Sequence, residues 1–241
     1  MRVEQAIFTS IRGERLDGYQ LAARSPGIDE TLARRLTTWG PAHDSLLDPG
    51  PAASSINFHA LHADRFALSK TTRQGAEYSG RGGGRIVTQF FVIDTEIFAR
   101  FANHPLAILR ALVAAGRTRI VELPPKTLGS FPLVGRAAGP DAHDLAEAYD
   151  PDCLDKLAGL IRKQESVAVV VDPPAEGWLI ALYARLNLPE RLQLSFTTGL
   201  KPTACRPFLL SVLADDPAAI RQSQRGGGLT VVHLTRHAAV V

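Results

Sequence analysis

The chain has 241 residues, 45% of them hydrophobic and 21% charged, with a formal net charge of +3 and an isoelectric point near 9.1. That length and balance argue against a disordered chain and leave room for one large domain or two small ones. The 27 basic residues are interspersed with 24 acidic ones and never run four together, which argues against the concentrated cationic face of a nucleic-acid-binding domain.

VEQAIFTSI and GYQLAARS alternate like half-buried strands, and the charged connector Gly13 to Asp17 between them suits an antiparallel hairpin. IDETLARRLTTWGP follows, with Ile28, Leu32, Leu36 and Trp39 on one helical stripe and Gly40-Pro41 as its stop. LLDPGPAASS reads as a loop, and SINFHALHADRFALSKTTR as a second hairpin turning near Ala63-Asp64. RIVTQFFVI is apolar at nearly every position, which predicts a central strand buried on both sides. Asp94 or Thr95 is expected to cap the helix TEIFARFANH, with Ile97, Phe98 and Phe101 inward, and Pro105 and Gly116 bound a further helix.

RIVEL, residues 119–123, reads as a short strand. Residues 124–144 are rich in Pro and Gly and lack periodicity, as in a linker or an extended surface crossing. Beyond them DPDCLDKLAGLIRKQ is a helix capped by Asp150, with Leu154, Leu157 and Ile161 inside. VAVVV, PAEGWLIALYARLN and RLQLSFTTG then read as strand, helix and strand, the order of a crossover joining a parallel pair. PFLLSVLAD, a short DPAAIRQ helix and LTVVHL follow. The fold class expected is α+β, or mixed α/β. It has two lobes: residues 1–123 with a largely antiparallel sheet, and residues 145–241 with a strand–helix–strand crossover, joined by the 124–144 crossing or merged into one domain.

The local anomaly is EYSGRGGGR, residues 77–85. Four glycines free the backbone to form an anion-binding nest, and Arg81 and Arg85 are placed to clamp a phosphate. The simpler reading is a flexible turn, because a strand rather than a helix follows it. It is neither a Walker A loop nor a dinucleotide fingerprint. RGGGL, residues 225–229, is weaker still. His59 and His62 are three apart in an extended segment and point to opposite faces, a poor geometry for one metal. His43-Asp44 and His143-Asp144 are neighbours in sequence rather than catalytic dyads, and ordinary loop histidines are the simpler reading. Cys153 and Cys205 lack metal-ligand spacing and read as free thiols of a reducing compartment. Without an apolar leader or an eighteen-residue apolar window, the expected location is the cytoplasm, away from membranes. No metal, cofactor or catalytic residue is indicated.

AIFTSIRGERLDGYQLAARSPGI, LTTWGPAHDSLL, SINFHAL, EYSGRGGGRIVTQFFVI, FANHPLAILRAL and LQLSFTTGLKPTACRPFLLSVLADDP occur in one order. Together, from about residue 4 to 235, they resemble the N-terminal domain, type one, of bacterial GTPase-associated proteins. The resemblance implies an accessory or adaptor domain of a GTPase-centred, conflict-type system, with a protein partner such as a GTPase. The alternative is an enzyme or sensor that binds a nucleotide or other phosphorylated small molecule through Gly80–Arg85. If the first hairpin tip and the glycine loop face one side, Arg12, Arg15, Arg81, Gly82, Gly83 and Arg85 form a shared anion- or partner-binding face. Arginines sitting in water are the plainer alternative. Nucleic acid is the least favoured ligand.

Overall fold

A computed structural model describes residues 2–12, 17–62, 64–76, 84–119, 125–136, 148–171, 175–203, 205–218, 220–221 and 228–234. Its strands are β1 (Glu4–Ile11), β2 (Gly18–Arg24), β3 (Ser54–His62), β4 (Arg65–Ala76), β5 (Gly84–Asp94), β6 (Ser166–Val170), β7 (Phe196–Thr197), β8 (Leu210–Leu213) and β9 (Leu229–His233). The helices are α1 (Glu30–Trp39), α2 (Thr95–Arg100), α3 (Pro105–Ala114), α4 (Pro151–Arg162), α5 (Ala175–Ala184) and α6 (Leu188–Gln193).

All nine strands join one mixed sheet in the order β2-β1-β5-β4-β3-β7-β8-β6-β9. From β2 to β3 every pairing is antiparallel, and β7 joins β3 antiparallel as well. From β7 to β9 every pairing is parallel. The fold is α+β as expected, its one sheet having an antiparallel and a parallel wing. Both expected hairpins form, and β5 is the buried central strand, with every residue from Ile86 to Ile93 buried.

α2, α3, α4 and α5 cover one face through a single apolar cluster that includes Phe58, Phe98, Leu112, Leu157, Trp178 and Phe196. α1 covers the antiparallel wing on the other face, where Leu32, Leu36 and the preceding Ile28 meet Phe8 and Phe90. Asp29 caps α1 by accepting from the Leu32 N–H at 2.8 Å. Asp150 caps α4 as expected, and Leu154, Leu157 and Ile161 are its buried residues along with Ala158. Gly116 ends the α3 turn at φ +66°, a conformation that favours glycine.

Two local expectations need correction. Leu192 and Gln193 belong to α6, and only Phe196–Thr197 of RLQLSFTTG is strand. Asn187 accepts from the Glu190 N–H while the Glu190 carboxylate accepts from the Asn187 N–H, a capping box that starts a helix where the apolar alternation suggested a strand. Asp94 precedes α2 but makes no side-chain cap, and the Thr95 N–H and hydroxyl both donate to the Asp64 carbonyl instead. RIVEL lies outside the described residues from Ile120 onward. The part of the crossing at 125–136 is extended and bound to the sheet, through bridges Arg24↔Thr127 and Val3↔Phe131.

Where β3, β4, β5 and β7 meet, the α1 face carries a buried polar row. Register places Asn57 beside Ser69 and Thr197, and Thr71 beside Ser55 and Thr88. The Asn57 amide is its hub. Its Nδ2 donates to Ser69 Oγ (3.1 Å) and Thr71 Oγ1 (3.2 Å), and its Oδ1 accepts from Ser55 Oγ (2.7 Å) and Thr197 Oγ1 (2.6 Å). Ser55 and Thr197 then accept from the Gly199 and Leu200 N–H groups, which pins the following loop onto the sheet. Asn57→Ala leaves several buried hydroxyls to find new partners, so it is expected to cost about 3 kcal/mol in denaturant unfolding. A loss within about 0.5 kcal/mol would show that the row is not held by its hub.

Candidate functional site

Of the residues expected to form a shared basic face, Arg15, Arg81, Gly82 and Gly83 lie outside the described residues. Arg12 directly follows β1, and Arg85 is the second residue of β5. The β1–β5 pairing runs to Thr9↔Val87, so both arginines stand just beyond it, at the same end of two neighbouring strands.

Arg12 lines an open groove of about 1050 Å³ between β2 and α1. β2 contributes Gln20 to Arg24, α1 contributes Glu30, Ala33, Arg34, Thr37 and Thr38, and Lys126 also lines it. Ala33, Thr37 and Thr38 are short side chains on the α1 wall, and among the described residues the charged lining is four cations and one carboxylate. Arg24 donates to Glu30, whose carboxyl is held below its ordinary range chiefly by that bond. Sequence reasoning did not find Arg24, Arg34 or Lys126. Each looks like an ordinary surface cation in its own element, and only the folding of α1 and the 125–136 crossing around β2 gathers them. Arg85 is not part of this lining.

Arg85 instead stands at the base of the glycine-rich loop. Beside it the stem of Arg73 lies across Gly84, where a Cβ would come within 2.6 Å of Arg73 Cγ and Cδ. The Nε groups of both Arg73 and Arg85 are buried without a hydrogen-bond partner.

The histidines divide into packed and surface groups. His59 is 2% exposed; its Nδ1–H donates to the Ala60 carbonyl at 3.1 Å, and Trp39 and Phe208 pack edge-on against its ring. Burial lowers its pKa to about 4. His104 stacks on Tyr183 with ring centres 4.5 Å apart, and its Nδ1 is buried without a partner. Burial and then the Arg191 and Arg110 cations lower its pKa to about 4. His43 Nδ1 lies 2.8 Å from Asp44 Oδ2, but the adjacent Ser45 hydroxyl accepts from the Ala42 N–H and from Arg206. His62 is exposed, as expected from its spacing to His59, and His143 lies outside the described residues.

Cys153 donates to the His233 carbonyl at 3.4 Å, its thiol pKa raised by burial, and Cys205 is exposed. Among the described residues, no three His, Cys, Asp or Glu side chains gather as a metal site, and no helix is long and apolar enough to cross a membrane.

A family model described as GTPase-associated protein 1, N-terminal domain type 2 (GAP1-N2), matches residues 2–128. The chain belongs to this family. GAP1-N2 membership places it among GTPase-associated proteins, as the motifs implied, and corrects the subtype from one to two. The GAP1-N2 match takes in β1 through α3 and ends at Leu128, whose N–H donates to the Arg24 carbonyl at the sheet edge. Comparison with curated proteins finds no match.

Proposed function

We propose that this chain is a non-catalytic adaptor that docks a GTPase, or another protein of a GTPase-centred conflict system, in the bacterial cytoplasm. GAP1-N2 membership supports the GTPase association. The observation that carries docking is the open, charged groove between β2 and α1, which has the form of a contact surface. His59 and His104 support a structural role for the two most buried histidines, because aromatic packing surrounds one and stacks on the other. The test is affinity capture with the tagged chain in its native cells after mild cross-linking. Recovery of a GTPase is expected, and repeated capture without a GTPase or a neighbouring-gene product would overturn the reading.

A second reading has its own observation. Unpartnered guanidinium N–H groups on Arg73 and Arg85, at the foot of the Gly80–Arg85 loop, suit a phosphate ligand. A thermal-shift screen with GTP, GDP, ATP, cyclic nucleotides and inorganic phosphate addresses it, since a ligand that binds only the folded state raises the melting temperature. A shift abolished by Arg85→Ala supports the nucleotide reading, and a flat screen removes it.

A further inference from the structure

We propose that α6 is a latch on the turn between α2 and α3: it holds that turn in a strained conformation and opens with it as one unit, ahead of the rest of the fold.

Ala102 and Asn103 are consecutive non-glycine residues in the left-handed region, at φ +51° and +54°. Asn adopts that conformation readily, whereas the Cβ of an alanine crowds the following carbonyl. Such a turn persists only where its surroundings fix it. Here α6 supplies much of the fixing. Asn103 Nδ2 donates to the Leu188 carbonyl, and Arg191 Nη1 donates to the Ala102 carbonyl, both at 2.9 Å. Arg191 Nε is shared between the Tyr183 and Leu186 carbonyls, each at 3.1 Å. One guanidinium therefore ties the end of α5, α6 and the strained turn together.

The latch itself is lightly built. None of the six residues of α6 is buried, and of these Leu192 alone packs against the main apolar cluster. Its other attachments include the Asn187–Glu190 capping box and the ion pair of Glu190 with the half-exposed Arg162 at 2.8 Å. An element with so little buried apolar contact opens at low free energy. The closed turn also leaves Asn103 Oδ1 and His104 Nδ1 buried without a hydrogen-bond partner among the described residues, and opening hydrates both. Strain and desolvation push the turn towards release while Arg191 and Asn103 hold it. Release reaches the sheet, because Leu194 and Ser195 follow α6 and lead directly into β7, the strand that joins the two wings.

Native-state hydrogen exchange of the full chain tests the latch. The amides of Asn103 and His104, which donate to the Phe98 and Phe101 carbonyls, report the turn. Those of Arg191 and Leu194, which donate to the Asn187 and Glu190 carbonyls, report α6. All four are expected to exchange through one opening, with a common free energy below that of the β5 amides at Phe91 and Val92. Ala102→Gly removes strain from the closed state and leaves the hydrogen bonds of α6 in place, yet it is expected to slow the α6 amides about fivefold. Arg191→Met, which keeps an apolar stem and no donor, is expected to speed both sets together about tenfold. A turn and an α6 that open at different free energies would overturn the proposal. So would an Ala102→Gly chain whose global stability rises while its α6 amides exchange as before, or one less stable than the parent, in which the alanine carried no strain. If Arg191→Met does not fold, Ala102→Gly alone decides the matter.

Discussion

A chain cut after Leu128, where the family match ends, is expected to lose its cooperative fold. The sheet does not stop there. β3 pairs on its far side with β7, through Asn57↔Thr197 and Phe58↔Phe196, and β7 leads into the parallel wing. The apolar cluster is shared in the same way: more than half of its buried residues come after residue 148, among them Trp178, Tyr183 and Phe196, all fully buried. Phe58 packs against Phe66 and Phe98 from the first wing and against Phe196 from the second. Removing the second wing uncovers several large apolar side chains, each worth about 1.5–3 kcal/mol of burial, against a whole-domain stability of about 5–15 kcal/mol. The truncation also leaves Asn57 without its Thr197 partner. Near-ultraviolet circular dichroism and denaturant unfolding of fragment and full chain are the measurements. A fragment that unfolds cooperatively with native-like aromatic signals would show that residues 2–128 stand alone.

Stability is also expected to fall steeply in acid because of His59 and His104. Each has a folded pKa of about 4 against an ordinary value of 6.5. Between those values the unfolded chain takes up protons that the folded chain refuses, so their contribution is complete at neutral pH and drains as pH falls from about 6.5 toward 4. The loss approaches about 3 kcal/mol for each histidine near the lower limit. For His59 the cause is burial among Trp39 and Phe208; for His104 it is burial on Tyr183 and then the nearby Arg191 and Arg110. Urea unfolding at several pH values, with His59→Gln and His104→Gln measured separately, checks this. Each variant should flatten the slope between pH 6.5 and 4. Identical slopes in the parent and both variants would remove these histidines as the cause.

What the sequence by itself determined is what local periodicity and punctuation can carry. The two hairpins, the doubly buried β5, the Asp150-Pro151 start of α4 and its inward Leu154, Leu157 and Ile161 follow from alternation, helical spacing and caps that act within a few residues. Family membership was legible because several medium-length motifs occur in one order, although the subtype was not. Even locally the rule failed where two signals competed: apolar alternation around Leu192 and Leu194 suggested a strand, and the Asn187–Glu190 capping box made a helix.

Tertiary structure decided the rest, because the deciding contacts lie far apart in the chain. β7, only two residues long, joins the antiparallel wing to the parallel one through a partner 140 positions away. The polar row around Asn57 exists only once four strands are in register. The groove needs α1, β2 and Lys126 brought together from three separate segments, so its cations carry no sequence mark that sets them apart from any others on the surface. The β1–β2 pairing could be recognised from the segments on either side of the charged connector, but the surface beside β2 was made by the packing of α1 against the sheet edge.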